Sequence, residues 1–184
     1  MSHHQAIEKL LWPNGFSRDA WMLLDCARDQ KRIFRFLLAC HLDYKCLFGD
    51  HIPPVLEMAA PYLVQLEFDN DETRRLIDMS WGKSWGVFLK SGTSLSRLRR
   101  HLSDLLIVRD PQGRRLTFRY YDPRVLRAYL PTCTGDELKT VFGPIDCYWT
   151  EPAKDFDHML EFRFEGGKLL RKARVLAMAA TDRP

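Results

Sequence analysis

The chain has 184 residues, 46% of them hydrophobic and 28% charged, a composition that excludes intrinsic disorder and suffices for one domain with a real core. Its net charge is only +4, and its five cysteines are odd in number and irregularly spaced, which argues against a disulfide framework and for a reducing, cytoplasmic compartment. No stretch reaches the roughly 18 apolar residues of a membrane span; VLEMAAPYLVQL comes nearest and is interrupted by Glu57 and Pro61.

The opening MSHHQAIEKLLWPNGF lacks a basic stretch running into a clean apolar core, so no secretory signal is expected. A short helix is expected over 5–11, stopped by Trp12-Pro13-Asn14-Gly15. AWMLLD, 20–25, is a continuous apolar run ending in a carboxylate, as in a buried central strand. Ile33, Phe34, Leu37, Leu38 and His41 then share one stripe of an amphipathic helix whose other faces carry Arg28, Lys31, Arg32 and Arg35. A second strand is expected over 62–67, a helix from DNDET toward Trp81 with Gly82 as its stop, and a third strand over 85–90. Thr93 or Ser94 should cap the next helix, with Leu95, Leu98 and Leu102 inward. Strand and helix alternate three times, which favours parallel-type βα units.

The second half differs. Residues 105–108 and 116–121 flank Asp110-Pro111-Gln112-Gly113, a hairpin turn by its residue types. On such a strand Leu116, Phe118 and Tyr120 face one way and Thr117, Arg119 and Tyr121 the other. Asp122 stands where an N-cap belongs and Pro123 at the first helical position, with Val125, Leu126, Tyr129 and Leu130 as the buried stripe. Thr134 to Glu137 matches a capping box, and Gly143-Pro144 closes that helix. Leu160, Phe162 and Phe164 alternate with charged residues as a half-buried strand before Gly166-Gly167; Leu169, Leu170, Ala173, Leu176 and Ala177 then fit a helical stripe. The expected fold is α/β, a mixed sheet with flanking helices, parallel-type in the first half and antiparallel in the second.

Arginine is unevenly placed. Between Arg97 and Arg127 there are nine (97, 99, 100, 109, 114, 115, 119, 124, 127) against Asp104, Asp110 and Asp122, a local balance of 9 − 3 = +6. Such a region suits an acidic protein or phosphates, or else lines solvated faces. Cys26 to Arg32 has the C-x5-R spacing of a phosphatase loop, in which a thiolate attacks phosphorus; the loop has no glycine, and Asp29 would set a negative charge inside it. Cys40, His41, Cys46 and His51 have metal-ligand chemistry without metal-ligand spacing, and His41 reads as a core histidine. No nucleotide-binding, nucleophile-elbow or nucleic-acid-binding motif is present, so neither a cofactor nor a metal is expected.

The ordered series WMLLDCARD (21–29), APYLVQLE (60–67), WGVFLKS (85–91), LRRHLSDLLIV (98–108), FRYYDPRVL (118–126) and VFGPI (141–145) resembles the effector chaperones, or adaptors, of the type VI secretion system, a domain family formerly catalogued as of unknown function. FRYYDPRVL followed by FGPI is its most specific part. Cys26 stands where a glycine or other small residue is expected. The resemblance implies a non-enzymatic cytoplasmic bacterial protein that binds one effector toxin and helps load it onto the spike protein at the tip of the secretion tube, without nucleic acid or membrane as partner. It implies an N-terminal helix and linker at 1–19, an α/β domain at 20–149, and a strand and helix extension at 150–184 reduced from the helical lobe of longer members. Together with the aromatic and arginine surplus, it nominates Arg119, Tyr121, Arg124, Trp81, Trp85, Arg97 and Arg100 for partner binding, and Asp25, Asp122, Pro123, Gly143 and Pro144 for architecture.

Overall fold

The computed structural model describes residues 3–109 and 112–176. In chain order they form α1 (His3–Leu11), β1 (Ala20–Asp25), α2 (Gln30–Ala39), β2 (Tyr44–Cys46), α3 (Pro54–Glu57), β3 (Pro61–Gln65), α4 (Asp71–Ser80), β4 (Gly86–Lys90) and α5 (Leu95–Asp104). They continue with β5 (Ile107–Arg109), β6 (Arg115–Thr117), α6 (Pro123–Tyr129), α7 (Gly135–Phe142), β7 (Cys147–Thr150), β8 (His158–Glu165) and β9 (Lys168–Val175). Seven strands make one sheet in the order β2-β3-β1-β4-β7-β8-β9, and β5 and β6 pair as a separate hairpin.

The α/β class with flanking helices holds, but the parallel pairing does not. Every strand pairing among the described residues is antiparallel. Since β3 and β4 both run against β1, they are parallel to each other, and β2, which runs against β3, is parallel to β1. The crossovers through α2 and α4 therefore do join parallel strands, but each steps over one antiparallel strand: β3 lies between β1 and β2, and β1 between β3 and β4.

Burial follows from this order. β1 is covered along its whole length, with Met22 between Val64 and Phe88 on one face and Leu23 between Leu63 and Val87 on the other. The first face packs against Ile7 and Leu11 of α1, Ile33 and Leu37 of α2, and Leu76 and Ile77 of α4. The second packs against Leu98 and Leu102 of α5, Leu126 of α6, and Leu138, Val141 and Phe142 of α7. The helices start as their sequences direct: Asn70 caps α4, Ser94 caps α5, and the Thr134–Glu137 capping box opens α7.

Two expectations in the second half are corrected. Residues 168–175 are strand β9, not a helix: Gly166 and Gly167 both hold positive φ, at 57° and 77°, the two-residue turn that twists a hairpin correctly, so β9 folds back on β8 along eight paired positions. The hairpin after α5 is shorter than expected, ending at Thr117, so Phe118 to Tyr121 are not strand and Tyr120 and Tyr121 are both buried. Its turn residues 110 and 111 lie outside the described residues, as does Ala177 of the expected stripe.

Gly86 of β4 lies close against β1: a Cβ there would stand 2.0 Å from the Leu23 carbonyl oxygen. The obstacle is backbone of the central strand, which cannot swing aside. Gly86→Ala should therefore cost about 1–3 kcal/mol or more in urea denaturation; an unchanged midpoint would show that the sheet accommodates the methyl.

Candidate partner-binding surface

Asp25 is the last residue of β1 and is fully buried. Its carboxylate accepts a hydrogen bond from the Ala27 amide at 3.1 Å, capping the short 3₁₀ turn Cys26–Arg28, and pairs with the Arg119 guanidinium. Burial raises the Asp25 carboxyl above the ordinary value of 3.8, and Arg119 offsets this only in part. Arg119 also lies over the Tyr121 ring, 5.9 Å from its centroid, while keeping 44% of its side chain exposed.

Three residues on, Asp122 repeats the pattern. It is buried, accepts from the Arg124 amide at 2.9 Å as the cap of α6, and holds the Arg124 guanidinium through two bonds of 3.0 and 2.6 Å. Burial raises this carboxyl too, but the bonds from Arg124 outweigh it and leave it below the ordinary range. Arg124 still exposes 50% of its side chain. Pro123 stands at the first helical position, where its missing N–H costs nothing. Exposed Arg28 also contributes its field to Asp122. Two buried carboxylates thus hold two half-exposed guanidiniums at one end of the sheet.

A third buried carboxylate at the same end braces this arrangement, and nothing in its spacing marked it beforehand. Glu151 accepts from the amides of Gly82 and Ser84 at 2.7 and 2.8 Å and from the Ser84 hydroxyl at 2.8 Å. It fixes the turn between α4 and β4, in which Ser84 has φ of 55°. Arg127 of α6 donates to the Glu151 carbonyl at 2.5 Å, tying α6 to the end of β7.

From Arg124 an apolar strip runs outward. Phe118, Val125, Ala128 and Tyr129 line an open depression beside Asp122 and Arg124, with Phe118 and Tyr129 edge-on at 4.5 Å. The same two rings border a groove of about 340 Å³ that continues to Ile107 and Val108 of the hairpin and ends at Asp104, Asp136 and Glu137. Ile107, Val108 and Leu116 are exposed. Contiguous apolar surface with charged rims is the composition of a protein-binding patch.

The other nominated residues separate from this surface. Tyr121 is buried, its hydroxyl pushed up to about 12 by burial and then by Asp25, so it supports Arg119 and offers little contact of its own. Trp81 and Trp85 are core residues on the α1–α2–α4 face, and Trp81 donates to the Phe156 carbonyl at 3.1 Å. Arg97 and Arg100 are exposed on α5, and Arg100 lines a different depression with Lys45 and Arg99. Gly143 and Pro144 sit at the opposite end of the sheet: Gly143 ends α7 against the His101 ring, and the Pro144 carbonyl accepts from Ser91 at 2.7 Å. The arginine-rich stretch is thus dispersed, with Arg99, Arg119 and Arg124 in ion pairs and Arg109 and Arg127 on backbone carbonyls.

The family model of a domain of unknown function, DUF4123, matches residues 20–140. The chain belongs to the DUF4123 family. No curated protein and no solved structure matches it. The matched span includes β1 with Asp25 and the whole Asp122–Arg124 helix start, but ends before Glu151 and the strands that follow.

The C-x5-R spacing and the core reading of His41 both fare poorly in the structure. Cys26 is fully buried, and burial followed by the Asp25 charge pushes its thiol up, the reverse of an activated nucleophile. Arg32 instead points outward, 68% exposed, beside Asp29. His41 is not a core residue: its side chain is almost wholly exposed beyond the end of α2 and contacts Glu72 at 3.1 Å. Among the described residues no group of three or more His, Cys, Asp or Glu is placed to hold a metal, and no helix is long and apolar enough to cross a membrane.

The two aspartates should respond oppositely to pH. Asp122 has a lowered folded-state pKa, so its contribution is present above 3.8 and is lost as pH falls through the folded value. Asp25 has a raised one, so the folded state tolerates it best below 3.8 and loses that advantage as pH rises through the folded value. In urea titrations from acid to neutral pH, Asp122→Ala should fall progressively behind the wild type, reaching about 0.5–2 kcal/mol from the lost cap. Asp25→Asn should instead gain on the wild type over the same range. Parallel trends for the two variants would overturn this assignment.

Proposed function

We propose that this chain is a bacterial cytoplasmic adaptor of the type VI secretion system, a non-enzymatic protein that grips one effector toxin and helps load it onto the spike protein. Membership of DUF4123 supports the reading, because the motif series that resembles the effector chaperones lies almost entirely within the matched residues 20–140. The observation that carries it is the FRYYDPRVL segment. It supplies Arg119, held by the buried Asp25 of β1, and Arg124, held by its own buried Asp122, at the head of an exposed apolar strip.

Mechanistically, the strip covers apolar effector surface until docking, and the arginines fix its register. Arg124 is held by two hydrogen bonds before the partner arrives, so less side-chain freedom is lost on binding. Arginine and tyrosine in such a setting are the residue types that dominate binding energy.

Deleting the gene should abolish delivery of one neighbouring effector and leave tube assembly intact; normal delivery in the deletion strain would sink the proposal. In co-purification with that effector, Ala128→Glu, which sets a charge in the middle of the strip, and Arg124→Ala should each weaken capture by about tenfold or more. The melting temperature of Ala128→Glu should stay close to wild type, since an exposed helix position contributes about 0–0.5 kcal/mol to the fold, whereas Arg124→Ala, which leaves the buried Asp122 without its guanidinium, should also lower it, so its capture is compared at a temperature where both proteins are folded.

A further inference from the structure

We propose that the cleft between α2 and α4 is a second docking site, and that its occupant is an acidic amphipathic segment of a protein partner. The cleft has a volume of about 350 Å³, an apolar floor that includes Phe36 and Met79, and a rim carrying Arg32, Arg35 and Arg75. Arg35 and Arg75 are exposed, and neither makes a hydrogen bond or ion pair with another described residue. Arg32 is only 3.7 Å from Asp29 and remains 68% exposed. The one carboxylate in the lining, Glu72, is already engaged: it accepts from the His41 amide at 2.8 Å and contacts the His41 ring at 3.1 Å. Those contacts, together with the field of Arg75, hold its carboxyl below the ordinary range. The cleft therefore offers a rim with three guanidiniums against one carboxylate around an apolar floor.

Charge complementarity calls for an anionic occupant, and the floor calls for an apolar one. A helix with apolar side chains on one face and Asp or Glu beside them meets both demands. A nucleic-acid backbone would leave Phe36 and Met79 uncovered and would find three cations, too few for the extended basic track that such binding uses. The floor residue Phe36 belongs to the core cluster on the α1–α2–α4 face, whereas the strip beside Arg124 overlies the opposite face of the sheet. Two partners can therefore be held without displacing each other. This deepens the adaptor reading by giving the chemistry of a second partner, and rests on that reading only for there being two.

The test uses two short fluorescein-labelled amphipathic peptides with one leucine pattern, carrying glutamate or lysine at the polar positions, and a single-stranded DNA, titrated by fluorescence anisotropy. The glutamate peptide should bind, more weakly as salt rises. Arg35→Glu/Arg75→Glu should weaken it by about tenfold or more, equivalent to about 1.4 kcal/mol, while Ala128→Glu leaves it unchanged. Arg35→Gln/Arg75→Gln provides the same reading without charge reversal should the first variant fold poorly. Equal binding of the lysine peptide, tighter binding of the DNA, or undiminished binding by the double variants would each overturn the proposal. Peptide binding that persists when gene deletion leaves effector delivery normal would retain the cleft and discard the adaptor.

Discussion

The carboxylate at the end of β1 is the constraint on which the rest of the surface depends. A charge as deeply buried as Asp25 is tolerated only with a partner, and that partner, Arg119, comes from 94 positions further along the chain. To reach it, the segment after the hairpin must lie across the end of the sheet, with Tyr120 and Tyr121 turned inward as its anchor. Tyr120 donates to the Leu102 carbonyl at 2.6 Å, which joins the segment to α5 as well. α6 then starts at Asp122 because the chain has been brought to a point where a cap, a proline and an arginine pair coincide. Buried ion pairs are weak sources of stability when compared with apolar packing. Their effect here is positional, since each leaves its arginine half outside.

The step-over topology makes that end of the sheet a meeting point of distant segments. Because the parallel crossovers pass over β1 and β3, the end of β1, the start of β4 and the end of β7 come side by side. Asp25, the Ser84 turn and Glu151 are thereby gathered into one line, and Arg127 closes it from α6. The long excursion through α5, the hairpin, α6 and α7 between β4 and β7 carries the whole candidate surface. It is held at both ends by sheet pairing, at Lys90↔Cys147 and Phe88↔Trp149.

What could be read from the sequence was local. AWMLLD is a strand because six consecutive residues are buried, and Asp122-Pro123 and Thr134 to Glu137 are helix starts because their chemistry is contained within a few positions. β2 escaped notice because three residues give no period to detect, and without it the strand–helix alternation appeared to put successive strands side by side. β9 resembled a helix because Leu169, Leu170, Ala173 and Leu176 recur at a 3.6-residue period, whereas its fate is decided by the glycine turn before it. Trp81, Trp85 and Tyr121 are residue types equally at home in cores and interfaces, and only the tertiary packing assigns them to the core. Glu151 and the α2–α4 cleft were invisible for a different reason: each is defined by groups far apart in the chain.

Net charge alone misrepresents this molecule. The excess of +4 is small and the arginine-rich stretch between 97 and 127 looks like its source. Yet the arginines there that matter most are paired to buried aspartates and act as oriented donors more than as free charge. Unpaired guanidiniums lie on α2 and α4 as well as on α5, and on α2 and α4 the carboxylates nearby are already engaged: Arg74 engages Glu8, Asp69 and Asp71, while His41 engages Glu72. Arg35 and Arg75 are left facing a cleft that no described residue fills. The sheet thus separates two kinds of positive surface. One is pre-paired and bordered by an apolar strip, suited to recognition by shape and fixed hydrogen bonds; the other sets unpaired guanidiniums around an apolar floor, suited to an occupant both anionic and apolar. Salt should accordingly weaken an interaction at the cleft far more than one at the strip, because screening acts on free surface charge more than on groups already paired and partly buried.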